Sequence, residues 1–409
     1  MKFASQLVNF NPCPSDPFKP IATPIYQTAT FEQEHADQFG QYDYSRSGNP
    51  TRTVLEEQLA QLENAHRAFA FTSGLAAISS VTRLLSAGDE VLACDDLYGG
   101  TYRLFSKILN RTGVKVRYAD ACHLSQFAAA ITPQTKLLYA ETPTNPLLRI
   151  CDIRALADLA HDHGALLCVD NSAMSPYLQN PLDLGADIVL HSATKFLCGH
   201  SDVTAGVVAV RSPEIAEQIY FLQNGEGSAL GPFDSYLLLR SLKTLKLRLD
   251  CQQANARKIA GHLKSNPAVQ RVYYPGLPEH DGHGLHAQQA RGAGAVISFA
   301  TDSFDLSKRI AEATRIFRIS VSFGSVNSSI SLPGCMSHAS IPAEIRKGRA
   351  FDADLIRLSI GIEDADDLLT DLDQAFEQAG IKERAFATST TCIGGIAASS
   401  LPNAKCAED

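Results

Sequence analysis

The chain has 409 residues, and its 36 Lys and Arg against 44 Asp and Glu give a net charge of −8. Hydrophobic residues make up 45% of the sequence, enough for a large buried core, and the length predicts two or three domains. Because phosphate backbones and anionic membranes are bound by clustered Lys and Arg, this mild acidity argues against a nucleic-acid or membrane partner.

The N-terminal part of the chain is rich in Pro, Asn and Thr and has little periodicity, so residues 1–55 are predicted to form an extended arm. A helix begins at Thr51, where apolar residues recur every three or four positions as far as Leu62. A short apolar strand, Ala68 to Phe71, follows this helix.

Short apolar segments then alternate with helical stretches through residues 56–250. The predicted strands are EVLAC at 90–94, VKVRY at 114–118, KLLYA at 136–140, ALLCV at 165–169 and DIVL at 187–190. This alternation is typical of an α/β fold in which a mostly parallel sheet has helices on both faces. Residues 56–250 are therefore predicted to be a large α/β domain.

A long helical stretch from Pro232 to Lys264 leads into a smaller α/β domain, predicted at residues 251–381. Its predicted elements are the strands VQRVYY at 269–274, GAVISFA at 294–300, ISVSF at 319–323 and LIRLSI at 355–360, with a closing helix from Asp364 to Gln378. Residues 382–409 contain few large apolar side chains, so burial cannot offset the entropy of ordering them, and we expect a disordered tail.

Two side chains at predicted strand ends suggest a cofactor. Asp170 ends the strand ALLCV and Lys195 follows DIVL, and ligands of open parallel sheets bind at the carboxyl ends of the strands. Taken singly, the lysine could be a surface residue and the aspartate a loop cap. Together they fit pyridoxal 5′-phosphate (PLP), which is held by a lysine and whose ring nitrogen is kept protonated by a carboxylate.

A phosphate site is predicted before the second helix, in the loop that contains Ser73, Gly74 and Leu75. The first amides of a helix lack partners and its dipole is positive there, so a phosphate dianion is favoured. Gly74 lets the backbone approach closely, and Ser192 and Thr194 add two hydroxyls. An ordinary N-cap serine is the simpler interpretation of this loop taken alone.

Three further residues complete the pattern. Tyr98 precedes two glycines, so its ring could lie over the cofactor, although core packing is the simpler interpretation. Asn145 follows another strand and could donate a hydrogen bond to the cofactor. Arg357 lies inside an apolar strand, where an arginine needs a partner, and its planar guanidinium suits the α-carboxylate of an amino acid.

With these motifs the chain resembles the Cys/Met-metabolism family of PLP enzymes, the trans-sulfuration enzymes, from about Thr23 to Gly380. The motifs are YSRSGNPTR at 44–52, FTSG at 71–74, DDLYGGTY at 95–102, ETPTNP at 141–146, VDNS at 169–172, HSATKFLCGHSD at 191–202 and RLSIGIED at 357–364. The resemblance implies PLP fold-type I, the aspartate-aminotransferase-like fold, and a homotetramer built of two tight dimers.

The site residues follow from these arguments and from the resemblance together. Lys195, which would carry the cofactor covalently, and Tyr98 are the predicted catalytic residues. The predicted cofactor-binding residues are Tyr44, Arg46, Ser73, Gly74, Leu75, Tyr98, Asn145, Asp170, Ser192, Thr194 and Lys195. Tyr44 and Arg46 would reach the phosphate of a neighbouring subunit. Ser322, Phe323 and Arg357 are predicted to bind the substrate.

The activity that the resemblance implies is β-elimination of L-cystathionine to homocysteine, pyruvate and ammonia, a step of methionine biosynthesis. The run at 321–342 resembles that of plant-type β-eliminating members. Members that act at Cγ usually carry Leu in place of Phe323 and often Glu in place of Asn327, and methionine γ-lyases carry Cys in place of Gly100. γ-Elimination or γ-replacement stays an alternative, because one lysine can also remove a proton from Cβ. A catalytically silent scaffold protein is a remote alternative, since such relatives usually lack the lysine or the acidic ring partner.

The expected compartment follows from the cysteines and from the absence of targeting patterns. No apolar run approaches the roughly 20 residues that cross a bilayer, and the start of the chain lacks an apolar signal core. The ten cysteines are scattered, without a CxxC pair or Cys/His metal spacing. We therefore expect no metal and a reducing compartment: the cytoplasm, or the plastid stroma if a transit peptide has been removed.

Overall fold

The structure is a computed structural model that describes residues 1–10, 18–337 and 353–381. The predicted tail at 382–409 lies outside the described residues. Within the described ranges, no helix combines the length and hydropathy that crossing a membrane requires. No group of three His, Cys, Asp or Glu side chains in those ranges could hold a metal ion.

A seven-stranded sheet forms the centre of the larger, N-terminal part of the molecule. Its strands are β1 (Arg67–Phe71), β2 (Glu90–Cys94), β3 (Lys115–Ala119), β4 (Thr135–Glu141), β5 (Leu166–Asp170), β6 (Ile188–Ser192) and β7 (Gly206–Val210). They lie in the order β1-β7-β6-β5-β4-β2-β3. Strands β2 to β6 pair in parallel, whereas β7 is antiparallel to both β1 and β6.

A second, five-stranded sheet lies in the C-terminal half. Its strands are β8 (Arg271–Tyr273), β9 (Val296–Ala300), β10 (Arg318–Ile319), β11 (Ser329–Ser331) and β12 (Ile356–Ser359). Their order is β10-β11-β12-β9-β8, and all neighbours pair antiparallel except β10 and β11. Each half therefore builds its own sheet, and apolar side chains of both contribute to one large hydrophobic cluster.

The helices cover the sheets. They are α1 (Phe3–Val8), α2 (Pro50–Leu62), α3 (Gly74–Thr82), α4 (Gly99–Arg103), α5 (Leu124–Ala129), α6 (Ile153–Asp162), α7 (Ser175–Leu178), α8 (Pro213–Glu226), α9 (Pro232–Leu242), α10 (Leu245–Ser265), α11 (His283–Gln289), α12 (Phe304–Ala313) and α13 (Ala365–Gln378). A π-turn (Leu104–Ile108) and two 3₁₀ turns (Leu109–Thr112 and Pro181–Leu184) complete the helical elements.

The strands predicted at 90–94, 114–118, 136–140, 165–169 and 187–190 are confirmed within one or two residues as β2 to β6. Strand β7 was not predicted. Its five residues, GVVAV, are all buried, and they join the sheet antiparallel between two strands that come earlier in the chain. The sheet is therefore mostly parallel, as expected, but its β1 side is antiparallel.

The long helical stretch predicted from Pro232 to Lys264 is formed by two helices, because the chain breaks between α9 and α10. The break brings the guanidinium of Arg248, in the first turn of α10, against backbone carbonyls. It donates to the oxygens of Ser241 at 3.1 Å and of Phe196 at 2.8 Å. Arg248 thereby anchors the segment that directly follows Lys195.

The N-terminal segment contains a helix that the sequence did not predict. Leu7 of α1 is buried, and its carbonyl oxygen accepts a hydrogen bond from Gln58 Nε2 of α2 at 3.1 Å. Residues 18–49, by contrast, contain neither a helix nor a strand, apart from an isolated bridge between Thr30 and Tyr44.

Candidate active site

The carboxyl ends of β4, β5 and β6 meet at one edge of the large sheet, next to a cavity of about 770 Å³. Glu141 ends β4 and lies directly beside Asp170, which ends β5. Lys195 follows β6 by three residues. Parallel pairing therefore gathers three ionisable side chains from separate segments, at the place where ligands bind in open α/β sheets.

Twelve of the predicted site residues line this cavity. They are Ser73, Gly74, Leu75, Tyr98, Asn145, Asp170, Ser192, Thr194, Lys195, Ser322, Phe323 and Arg357. Tyr44 and Arg46 do not line it. Arg46 Nε donates to Asn224 Oδ1 at 3.2 Å, and its guanidinium lies 5.0 Å from the Tyr44 ring, which is 41% exposed.

Lys195 points into the cavity from the turn after β6. Its ammonium nitrogen donates a short hydrogen bond to Ser322 Oγ and lies 4.9 Å from the centre of the Phe323 ring. Burial, and next the nearby Arg357 cation, lower the pKa of Lys195 to about 8, although Asp170 acts in the opposite direction. Roughly a tenth of this amine is therefore neutral, and nucleophilic, at pH 7.

Asp170 is held by donors from two directions. The Tyr139 hydroxyl donates to Oδ2 at 3.1 Å, and the Ser172 amide donates to Oδ1 at 2.9 Å. The Ser172 hydroxyl also donates to Oδ1. These bonds orient the carboxylate at the cavity wall, where it can accept from a protonated ring nitrogen.

Helix α3 begins at the cavity wall. Ser73 is its N-cap, and the Ser73 hydroxyl accepts a hydrogen bond from the amide of Ala76 at 3.1 Å. A Cβ atom added to Gly74 would lie 2.9 Å from the Cβ of Ser192, so only glycine fits without a shift of the strand end. Ser73, Gly74 and Leu75 line the cavity, so the first turn of the helix faces a space that an anion could occupy.

Tyr98 precedes helix α4, and its ring lies over Gly100. A Cβ at Gly100 would come within 2.3 Å of Tyr98 Cε1, so any larger residue would displace the ring. The Tyr98 amide donates to Glu141 Oε1 at 2.9 Å. Burial, and next the charge of Asp170, raise the pKa of Glu141 well above its usual range, which favours the protonated form of this buried carboxyl.

Arg357, on β12, brings the second sheet to the cavity. Its Nη1 donates to Asn145 Oδ1 at 2.9 Å and its Nη2 to the Ser322 carbonyl at 2.6 Å. Ser322 has a left-handed backbone, with φ of 78°, which is uncommon outside glycine. Among the described residues the buried Nε of Arg357 has no hydrogen-bond partner, which leaves a donor for an acidic ligand.

Some cavity residues were missed by the sequence argument. Glu141 and Ser172 line the cavity, as does Arg103 at the end of α4. The signal for Glu141 was present, because it is the acidic residue at the end of a predicted strand, as Asp170 is. Arg103 carried no comparable signal, since nothing local shows that its helix faces the cavity.

These features fit PLP. Lys195 would supply a partly neutral amine for its aldehyde, Asp170 a carboxylate for its ring nitrogen, and the start of α3 a cradle for its phosphate. Arg357 lines the same cavity and would supply a cation for the carboxylate of an amino acid. The fold and the site together define a PLP-dependent enzyme of the fold-type I class.

Comparisons with known proteins agree with this assignment. The sequence pattern of the family described as Cys/Met metabolism PLP-dependent enzyme matches residues 4–377, so the chain belongs to that family. It is 58% identical over 362 residues to the chloroplastic cystathionine beta-lyase of Arabidopsis thaliana, covering 88% of this chain and 78% of the relative. It is 49% identical over 357 residues to the cystathionine gamma-lyase of Bacillus subtilis, covering 87% of this chain and 94% of the relative.

A solved structure shows the same fold. The cystathionine gamma-lyase from Lactobacillus plantarum, complexed with L-serine, superimposes with a TM-score of 0.90 at 45% sequence identity. The superposition covers 93% of this chain and 99% of that chain. The predicted family and the predicted fold-type I architecture are confirmed.

Proposed function

We propose that this protein is a PLP-dependent carbon–sulfur lyase that cleaves L-cystathionine by β-elimination to homocysteine, pyruvate and ammonia. The observation that carries the proposal is the position of Lys195, whose amine bonds Ser322 Oγ, lies 4.9 Å from the Phe323 ring and interacts electrostatically with Asp170. Relatives named cystathionine beta-lyase, 49–58% identical to this chain, support the choice of reaction.

Substrate binding is assigned to Arg357 and Ser322. The guanidinium of Arg357 is held by Asn145 and by the Ser322 carbonyl, so its direction is set before substrate arrives. The guanidinium and the Ser322 hydroxyl, which both line the cavity, then bind the α-carboxylate. Tyr98, at the same cavity, assists in removing a proton from the incoming α-amine.

Proton transfer is assigned to Lys195. When bound, PLP supplies an electron sink for the electron pair left at Cα. The neutral amine of Lys195 removes the Cα proton and then delivers a proton to the sulfur, so that homocysteine leaves from Cβ. Asp170 maintains the positive charge at the ring nitrogen. The released 2-aminoacrylate reacts with water to give pyruvate and ammonia.

γ-Elimination of cystathionine to cysteine and 2-oxobutyrate is the second candidate. It is favoured by the likeness to relatives named cystathionine gamma-lyase, at 49% and 45% identity. The same amine could take the additional proton from Cβ that this route requires. The aromatic residue at Phe323, which packs 5.9 Å from Phe196, supports β-elimination. The run at 321–342 supports it too, although residues 338–342 lie outside the described residues.

We propose further that the protein acts as a homotetramer of two tight dimers. Each chain would consist of the arm 1–55, the PLP-binding domain 56–250 and the C-terminal domain 251–381. Residues 18–49 expose the apolar side chains of Phe18, Ile21 and Phe39, at 90%, 97% and 72%. Tyr44 and Arg46, which do not line the cavity of their own chain, would complete the phosphate site of a neighbour.

The proposed compartment is the cytoplasm or the plastid stroma, since the relatives include bacterial and chloroplastic enzymes.

The test is to incubate the purified protein with L-cystathionine and identify the keto acid and the thiol that it releases. Pyruvate with homocysteine would establish β-elimination, whereas 2-oxobutyrate with cysteine would replace it by γ-elimination. The control is Lys195→Ala, which removes the acid–base group and should lower turnover by at least about a thousandfold. Near-normal turnover in that variant would refute the assignment of Lys195.

A further inference from the structure

Two thiols outside the cavity face each other across the edge of the large domain. The Sγ atoms of Cys122 and Cys151 are 3.6 Å apart, although the residues are 29 positions apart in the chain. Cys122 lies in the turn between β3 and α5 and is partly exposed, whereas Cys151, just before α6, is fully buried. This is the distance of a thiol–thiol hydrogen bond between two reduced cysteines, and a disulfide requires the sulfurs to close to about 2.05 Å.

The surroundings give the two sulfurs different roles. Arg149 lies close enough to both sulfurs for an electrostatic interaction, and it also pairs with Asp120 and Asp95, but only Cys122 is partly exposed. A partly exposed thiol beside a guanidinium is the accessible nucleophile of such a pair, because the thiolate is the attacking species. The hydrogen bond with Cys122, and next burial, raise the pKa of the Cys151 thiol, and Cys151 is buried, so it is the second sulfur to react.

We propose that Cys122 and Cys151 are a dithiol that a small disulfide, such as oxidised glutathione, converts to an intramolecular disulfide. The Cys122 thiolate attacks the oxidant, forms a mixed disulfide and releases one thiol. Cys151 then loses its proton, attacks the Cys122 sulfur and releases the second thiol. Two protein thiols are oxidised and one disulfide is reduced to two thiols, so the exchange balances.

The two ends of the cross-link differ in how firmly they are held. The Cys151 amide donates to Thr142 Oγ1 at 3.1 Å, and its carbonyl oxygen accepts from Gln289 Nε2 at 2.9 Å. Cys122 lies in a turn that is tied mainly to its neighbour Asp120. The closure of about 1.5 Å that the bond geometry demands is therefore taken up by the Cys122 turn. The segment that contains Asn145 keeps its position, so the oxidised enzyme stays active.

Cross-linking residues 29 positions apart restricts the unfolded chain more than the folded one. The oxidised protein should therefore unfold at a higher temperature than the reduced protein. The modification stabilises the edge of the large domain without entering the active site, and it does not depend on which sulfur amino acid is cleaved.

The experiment treats the PLP-loaded protein with oxidised glutathione, blocks free thiols with an alkylating reagent, and maps peptides by mass spectrometry without reduction. The expected result is a peptide pair joined through Cys122 and Cys151 that has lost two hydrogen atoms and is separated again by dithiothreitol. The Cys122→Ser substitution should abolish this cross-link and leave Cys151 without a disulfide bond. Cys251→Ser, which removes a half-buried thiol outside the pair, is the matched control and should leave it unchanged.

Thermal unfolding provides the second readout. Oxidation should raise the unfolding midpoint of the wild type and of Cys251→Ser by several degrees, should not raise that of Cys122→Ser, and should change turnover by less than a factor of two. A stable mixed disulfide at Cys122 without the cross-link would overturn the proposal. A cross-linked protein that unfolds no later than the reduced one would overturn its stabilising role.

Discussion

Arg357 Nη1 donates a hydrogen bond to Asn145 Oδ1 at 2.9 Å, which joins residues 212 positions apart in the chain. Arg357 belongs to the small sheet, and Asn145 follows a strand of the large one. The contact aligns the proposed carboxylate-binding group with the proposed cofactor site. Because both side chains are buried, water cannot easily replace either partner.

Replacing Arg357 with lysine should raise KM for the amino-acid substrate by roughly ten- to hundredfold, because a compact ammonium lacks the planar fork of donors that can reach Asn145, Ser322 and a carboxylate at once. Steady-state kinetics measure the effect. Asn145→Ala, which leaves the guanidinium but removes its support, should change KM in the same direction by a smaller factor. An unchanged KM in Arg357→Lys would show that the substrate carboxylate binds elsewhere.

The pKa of Lys195, lowered to about 8, predicts how the rate of cofactor incorporation depends on pH. Only the neutral amine attacks an aldehyde, so the rate at which the protein takes up PLP after its removal should rise up to about pH 8 and then level off. The growth of the visible absorbance band measures this rate. A midpoint near the ordinary lysine value of 10.5 would contradict the depressed pKa.

A substitution of Arg357, the cation next to Lys195, provides the matched variant for that titration. Arg357 lowers the pKa of Lys195, so Arg357→Met, which removes the charge, should raise this pKa and move the midpoint to higher pH. A midpoint that stays in place would mean that burial alone sets the pKa of Lys195.

Compared with the wild type, the Glu141→Gln variant should become progressively more stable as pH rises. Burial, and next Asp170, raise the pKa of Glu141, so the folded state binds this proton more tightly than the unfolded state. The wild type therefore loses stability as pH rises above the ordinary carboxyl value of 4.5, while glutamine, always neutral, loses none. Thermal unfolding midpoints of both proteins, compared at several pH values, give the difference.

A second substitution separates charge from hydrogen bonding at the same position. Glu141→Leu leaves the Tyr98 amide without its acceptor and should cost about 1–3 kcal/mol at low pH, where the wild-type carboxyl is neutral. Glutamine keeps an acceptor oxygen and should not show that loss. If the Gln variant and the wild type differ by the same amount at every pH, Glu141 has no raised pKa.

Gly74→Ala should weaken PLP binding, because the new Cβ would lie 2.9 Å from Ser192 Cβ and close the phosphate cradle. Equilibrium titration with PLP, followed by absorbance, should show the lower affinity. Gly225→Ala is the matched control, because a Cβ there meets nothing within 4 Å and the residue lies in helix α8. It should leave PLP binding unchanged and stabilise the helix by up to about 1 kcal/mol. Equal effects of the two substitutions would argue against the cradle.

The sequence by itself determined the local features of this protein. Periodicity located β2 to β6, because burial on both faces of a parallel sheet requires short apolar runs. The same runs showed that Asp170 and Lys195 stand at strand ends, which are gathered at one edge whenever neighbouring strands are parallel. The motifs around these residues were enough to indicate the family and the cofactor.

Only the tertiary structure decided the features that depend on which strands are neighbours. It inserted β7 antiparallel between β1 and β6, which no local pattern indicates. It placed Glu141 against the amide of Tyr98 and Arg357 against Asn145, and it brought Cys122 to Cys151. These contacts join segments that are distant in the chain, and their geometry is set by sheet order and packing. Residues that are adjacent in the sequence carry no information about sheet order or about packing.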